Sequence, residues 1–181
     1  MIFVSLLRGI NVSGQKKIKM TDLKALYEGL GLTRVITYIQ SGNVLFASKE
    51  KAVDMKNKIE TAIKKQYRFD VSVLVIPAEE LRLIALANPF SPDADVSSLY
   101  LTLLEKLPDE ELVERIQSDA SSDDEFQLID RAIYLNCTKG YGRTKLNNAF
   151  FESKLKLKAT TRNWKTVLKV IELTQQVEQY N

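Results

Sequence analysis

The 181-residue chain has no histidine and a single cysteine, Cys137. Without imidazole, no Ser-His-Asp or Cys-His arrangement can operate. One thiol and no imidazole cannot make a usual zinc site, while a carboxylate site for magnesium stays open. One cysteine forms no intrachain disulfide, as in proteins of reducing compartments. No apolar run approaches the roughly 20 residues that cross a bilayer. The N-terminal MIFVSLLRGINV has no basic region before its short apolar run, and Arg8 interrupts it. It reads as a first strand rather than a secretory signal. Neither a Gly-Lys-Ser/Thr loop ending nor Gly-x-Gly-x-x-Gly occurs, so no cofactor is called for. These absences lead to the expectation of a bacterial cytoplasmic protein with no membrane partner. Any catalysis would fall to Asp, Glu, Lys, Tyr, Ser, Thr or backbone groups.

What is present suits a globular protein: 45% hydrophobic and 27% charged residues, enough for a sizeable core. The net charge is +3 but unevenly spread. Residues 1–70 carry 13 Lys/Arg against 6 Asp/Glu, residues 91–131 carry 3 against 12, and residues 139–169 carry 9 against 1. Such blocks either steer an anionic partner to one face or lie close together and partly cancel.

The hydrophobic pattern resolves into alternating strands and helices. Ile2 to Leu7 is apolar enough for a buried strand, followed by a loop with two glycines, Gly9 and Gly14. Thr21 is the expected N-cap of a helix burying Leu23, Leu26, Tyr27 and Leu30 and stopping at Gly31. Arg34 to Gln40 and Asn43 to Ala47 form a hairpin with Ser41-Gly42 as a two-residue turn. Lys51 to Lys65 is a helix with Val53, Ile59, Ala62 and Ile63 as its apolar stripe, and Val71 to Ile76 is a strand. This β-α-β-β-α-β order is the split βαβ, or ferredoxin-like, arrangement.

Pro77 starts a helix carrying Leu81, Ile84, Ala85 and Leu86, and Asn88-Pro89-Phe90-Ser91-Pro92-Asp93 breaks regular structure. That break divides the chain into an N-terminal α+β subdomain, residues 1–90, and a C-terminal one, residues 91–181. The second half reads as strand Leu99 to Leu104, acidic helix Asp109 to Gln117, and a polar loop from Ser118 to Asp124. A tight hairpin around Arg131, a helix from Asn147 to Leu157, a short strand near Ala159 to Thr161 and a last helix to Val177 complete it. The expectation is therefore α+β: two ferredoxin-like subdomains with antiparallel sheets and helices on one face. The repetition lies in element order, not in visible residue identity.

Four polar stretches exceed what core packing requires. Arg8-Gly9-Ile10-Asn11-Val12-Ser13-Gly14 is either a structural strand-to-helix loop or one that aims amide N–H groups at an anion. Gln40-Ser41-Gly42-Asn43 is explained as a hairpin turn, with Gln40 at a strand end inviting more. Gly140 to Asn148 sets Arg143, Thr144 and Lys145 before a helix start, combining a guanidinium fork, an ammonium and a helix dipole. A capped helix with solvated basic residues explains it equally well. In Ala159 to Thr166, Trp164 is expected in the core, Thr161 and Asn163 as caps, and Arg162 is the residue capping explains least. Cys137 reads as a small buried core residue.

The same stretches resemble a bacterial family of unknown function, DUF1697. The resemblance rests on Leu7-Arg8-Gly9-Ile10-Asn11-Val12, Lys17-Ile18-Lys19-Met20 and Tyr38-Ile39-Gln40-Ser41-Gly42-Asn43-Val44. It also rests on Gly142-Arg143-Thr144-Lys145-Leu146, Phe150-Phe151-Glu152 and Thr160-Thr161-Arg162-Asn163-Trp164. It implies two ferredoxin-like units and supplies no activity. Members often have Gly-Gly where this chain has Ser13-Gly14.

Three functions remain open. The first is binding of a phosphate-bearing ligand, a nucleotide or nucleic acid, through Arg8, Asn11, Gln40, Asn43, Arg143, Thr144, Lys145 and Arg162. RNA-type stacking would use Phe3 and Phe46, although Ser41 to Ser48 lacks a basic-aromatic recognition pattern. The second is a histidine-free enzyme acting on a small anion. The third is self-association through basic and acidic faces.

Overall fold

The computed structural model describes residues 1–90, 94–119 and 124–179. Ser91, Pro92 and Asp93 of the expected break, and residues 120–123 of the expected polar loop, lie outside them. The chain divides into two compact units, Met1–Leu83 with Lys169–Asn181, and Ile84–Leu168. The expected single division at 90/91 thus differs twice: the first division falls between Leu83 and Ile84, and the later residues of the last helix belong with the first unit.

In the first unit, β1 (Ile2–Leu7), β2 (Thr33–Tyr38), β3 (Asn43–Ala47) and β4 (Val73–Pro77) form an antiparallel sheet in the order β2-β3-β1-β4. Helices α1 (Met20–Gly29) and α2 (Ala52–Tyr67) complete the ferredoxin-like pattern, and α3 (Ala78–Leu86) follows. The core gathers Phe3, Leu7, Val44, Phe46, Val73 and Val75 with Leu23, Tyr27, Met55, Ile59 and Ile63. These strand residues alternate along the chain, as a pleated strand with one face under helices requires. Burying one such large side chain contributes about 1.5–3 kcal/mol. At the centre, the Ser5 hydroxyl meets the Tyr27 phenol at 2.8 Å.

The second unit repeats the plan. Strands β5 (Leu99–Leu104), β6 (Glu125–Ile129), β7 (Ala132–Asn136) and β8 (Ala159–Asn163) stand in the order β6-β7-β5-β8. Helices α4 (Glu110–Asp119) and α5 (Asn148–Leu155) supply the crossovers, and α6 (Trp164–Gln179) is the last helix. The strand pairing is identical in register: Ser5 pairs Val44 and Val75, and Thr102 pairs Ile133 and Thr161. This aligns the central strands position by position. Ile2-Phe3-Val4-Ser5-Leu6-Leu7 matches Leu99-Tyr100-Leu101-Thr102-Leu103-Leu104, with a fully buried hydroxyl fourth in each. The repeat therefore reaches residue character as well as element order.

Several local expectations are corrected. Thr21 is not the N-cap of α1. That position is Lys19, and the Thr21 hydroxyl donates to its neighbour Asp22 instead. The β2–β3 turn has four residues, 39–42, because Tyr38 pairs with Asn43. Val53 is 58% exposed, and Met55 takes its place in the α2 stripe, one turn before Ile59. Pro77 ends β4 rather than opening a helix, since an edge strand tolerates its missing N–H. Leu86 is 78% exposed at the end of α3. Thr161 lies within β8 and caps nothing, whereas the Asn163 side-chain Oδ1 accepts from the Thr166 backbone N–H and caps α6.

Candidate functional site

In the first unit, the loops after β1, before β3 and before β4 meet at one end of the sheet, since Leu6 pairs with Asn43 and Leu7 with Val73. The loop after β1, residues 8–19, is folded by its own left-handed residues. Gly9 (φ 69°), Asn11 (56°), Ser13 (49°), Gly14 (76°) and Lys16 (45°) all have positive φ. Ser13 and Gly14 form a tight reversal closed by Gln15 N to Val12 O at 2.9 Å. Ser13 stands where the resemblance expects glycine, and its positive φ shows why glycine suits that position.

Asn11 ties this loop to the β2–β3 turn. Its Nδ2 donates to the carbonyls of Ile18 and Gln40, each at 2.9 Å, and its Oδ1 accepts from Ile18 N at 2.9 Å. Asparagine suits the place because it supplies two donors and an acceptor and tolerates the left-handed region. The turn is pinned to β1 by Leu7 N to Gly42 O at 2.8 Å. Asn43 is fully buried, its amide donating to Tyr38 O and Ser41 Oγ. The Lys16 ammonium donates to Asp70 O at 2.7 Å, fastening the loop before β4. Ile39, exposed in the same turn, has φ 47°, a strained conformation for a β-branched residue.

These loops and the start of α1 border an open concavity of about 560 Å³ lined by Asn11, Gly14, Lys17, Ile18, Lys19, Met20, Thr21 and Gln40. Neither Lys17 nor Lys19 has an ion-pair partner among the described residues, and the Gln40 side-chain amide has none either. The N-cap of α1, at the same place, makes no side-chain capping bond. Cations, an amide and helix-start N–H groups thus share one concavity with the half-buried Met20. Its lining contains no carboxylate.

Of the four first-unit candidates, Asn11 and Gln40 line the pocket, whereas Arg8 and Asn43 do not. Arg8 N donates to Ser72 O at 2.9 Å. Lys17, Lys19, Met20 and Thr21 were not among the candidates. The signal for the first three was the Lys17-Ile18-Lys19-Met20 segment of the resemblance, while Thr21 was read only as a cap. Phe3 and Phe46 stack on each other at 5.9 Å and are buried in the helix-covered core, so they offer no face to a base.

The second-unit candidates gather at the end of their sheet where β5 begins and β7 and β8 finish. The Tyr141 hydroxyl donates to Thr161 Oγ1 at 3.1 Å and accepts from Asn148 N at 3.1 Å. Thr161 Oγ1 in turn donates to Asn148 Oδ1 at 2.8 Å and lies 2.6 Å from Thr102 Oγ1. The Asn147 side chain caps α5 by accepting from Phe150 N. The start of α5 is therefore filled by the chain's own groups. Thr144 is buried, its hydroxyl accepting from Leu146 N, while Arg143 and Lys145 are exposed. Arg162 takes the register position held by Ile76 in the first unit, and its Nη1 donates to Thr161 O. Burial pulls its guanidinium down to about 10. Cys137 is fully buried, and burial pushes its thiol up to about 11. Among the described residues, no group of three His, Cys, Asp or Glu could hold a metal ion.

A family model described as a protein of unknown function, DUF1697, matches residues 1–134. The chain belongs to the DUF1697 family. The matched residues include every one that lines the pocket and stop before the Gly142, Phe150 and Thr160 segments. No curated protein matches this DUF1697 chain. Among solved structures it is similar to a conserved bacterial protein, SP0830 from Streptococcus pneumoniae. The two are 24% identical with a TM-score of 0.78, over 96% of this chain and 98% of that one. At that identity the likeness concerns the fold. Among the described residues, no helix is long and apolar enough to cross a membrane.

Proposed function

We propose that this DUF1697 protein binds a phosphate-bearing anion in the pocket at the loop-rich end of its first unit. The observation that carries the reading is internal to the chain. The second unit closes the equivalent end of the same fold with five residues after β5 (105–109) and two before β7 (130–131). The first unit uses twelve (8–19) and four (39–42). The fold does not need the additional residues, and the two longer loops supply six of the pocket's eight lining residues, the start of α1 supplying Met20 and Thr21. They also accept several left-handed conformations, a cost that concentrates at functional sites.

The lining favours binding over acid–base catalysis, since it offers ammonium, amide and N–H groups, with no carboxylate of its own and with the Thr21 hydroxyl turned to Asp22. Thermal-shift titration with phosphate compounds at low and high salt tests the reading. Wild type is stabilised at low salt and less at high salt. Lys17→Gln/Lys19→Gln loses the effect, and Arg143→Gln/Lys145→Gln keeps it. The opposite pattern in the two double variants contradicts the proposal.

A further inference from the structure

We infer that the ligand is one small organic phosphate of mononucleotide size, with an apolar body beside its phosphate, rather than a nucleic-acid strand. The inference rests on the anion-site reading above and adds the ligand class.

Size is the first ground. At about 560 Å³ the pocket falls within the roughly 300–1,000 Å³ of small-molecule sites. The second ground is the division of the wall. Lys17 and Lys19 bring cationic heads, while the half-buried Met20 brings aliphatic surface that inorganic phosphate alone would leave uncovered; the Ile18 side chain is closed in the core. Asn11 has both amide hydrogens and its oxygen committed to Ile18 and Gln40. The Gln40 side chain is the amide left to meet a polar edge of the ligand. The third ground is what a strand would require: a succession of cations along a groove and aromatic faces for stacking. The pocket lining has two ammonium groups and no aromatic ring, and Phe3 and Phe46 are closed inside the core.

Calorimetric titration of the intact chain at low salt tests this with five probes. They are adenosine monophosphate, uridine monophosphate, adenosine, inorganic phosphate and a short single-stranded oligonucleotide. The expected result is that at least one nucleoside monophosphate binds at least about tenfold tighter than phosphate or adenosine. Lys17→Gln/Lys19→Gln weakens that binding roughly tenfold or more, because charge-assisted hydrogen bonds are lost. Met20→Ala weakens the monophosphate and leaves inorganic phosphate unchanged. The lysines are exposed, so the double variant keeps the fold, checked by its melting curve. An oligonucleotide bound tenfold tighter than either monophosphate overturns this inference and leaves the anion-site reading standing. So does inorganic phosphate bound as tightly as the monophosphates. Adenosine bound as tightly as adenosine monophosphate, or no phosphate compound bound at all, overturns both.

Discussion

Gly42 is the position where one added methyl group tests how the pocket is held. Its φ is 79°, and a Cβ built there lies 2.7 Å from Leu7 Cβ and 2.8 Å from Ile10 Cδ1. The Ile10 methyl is the far end of a flexible side chain and can turn away. Leu7 Cβ is rooted in the central strand and cannot. Gly42→Ala therefore incurs about 1 kcal/mol for the left-handed backbone and about 1–3 kcal/mol for overpacking. The sum, about 2–4 kcal/mol, lowers the melting temperature of a chain this size by about 4–16 °C. Gly31 supplies the control, with φ 80° and open space around its Cβ. Gly31→Ala meets the backbone cost alone, about 1 kcal/mol. Urea unfolding followed by circular dichroism measures both. If the two variants differ by less than about 0.5 kcal/mol, within the scatter of surface substitutions, the argument that Leu7 and Ile10 leave no room at the turn is wrong.

Other outcomes follow from the same contacts. Asn11→Asp keeps the acceptor for Ile18 N but turns a carboxylate towards two carbonyl oxygens. It loses about 1–3 kcal/mol and weakens phosphate-compound binding, while Asn11→Gly keeps the backbone conformation and loses the clasp alone. Tyr141→Phe removes a hydroxyl that bonds both Thr161 and Asn148 N, costing about 1–2 kcal/mol with no effect on first-unit binding. Native Cys137 resists aromatic disulfide reagents that react with the denatured chain within minutes. Raising the pH from 9 to 11 lowers stability. Across that range the unfolded thiol, with its ordinary pKa of 9, gives up its proton, while the folded one holds it up to about 11. The unfolded state then binds fewer protons, so unfolding is favoured by about 1–3 kcal/mol. Cys137→Ser reduces this slope, while Tyr27 and Tyr134, also raised by burial, leave part of it.

The fold was largely legible because both units obey the periodicities of their cores. Leu23, Leu26 and Tyr27 recur at helical spacing, and β1 and β5 have the bounds their apolar runs indicate. The residue-level repeat was not legible, because the two aligned strands are identical only in their closing Leu-Leu, a pair too common to mark a repeat, and share only character in the four residues before it. Only the common strand register aligns them. The site was half legible. Asn11 and Gln40 stood out as polar groups in loops, yet Asn11 serves by holding the walls together. Lys17 and Lys19 entered the sequence reading only through the resemblance, and it is the fold that places them beside a helix start with no side-chain cap. Arg143 and Lys145 carried the better local chemistry on paper. The α5 start beside them is filled by Asn147 and Tyr141, a three-dimensional fact that loop composition does not encode.

The most direct measurement is a two-dimensional amide NMR titration of the labelled chain with the nucleoside monophosphate that binds tightest in calorimetry. The account predicts shifts concentrated at residues 14–21 and at Gln40, with residues 139–148 unmoved. Shifts confined to residues 139–148, or none at saturating ligand, would contradict it.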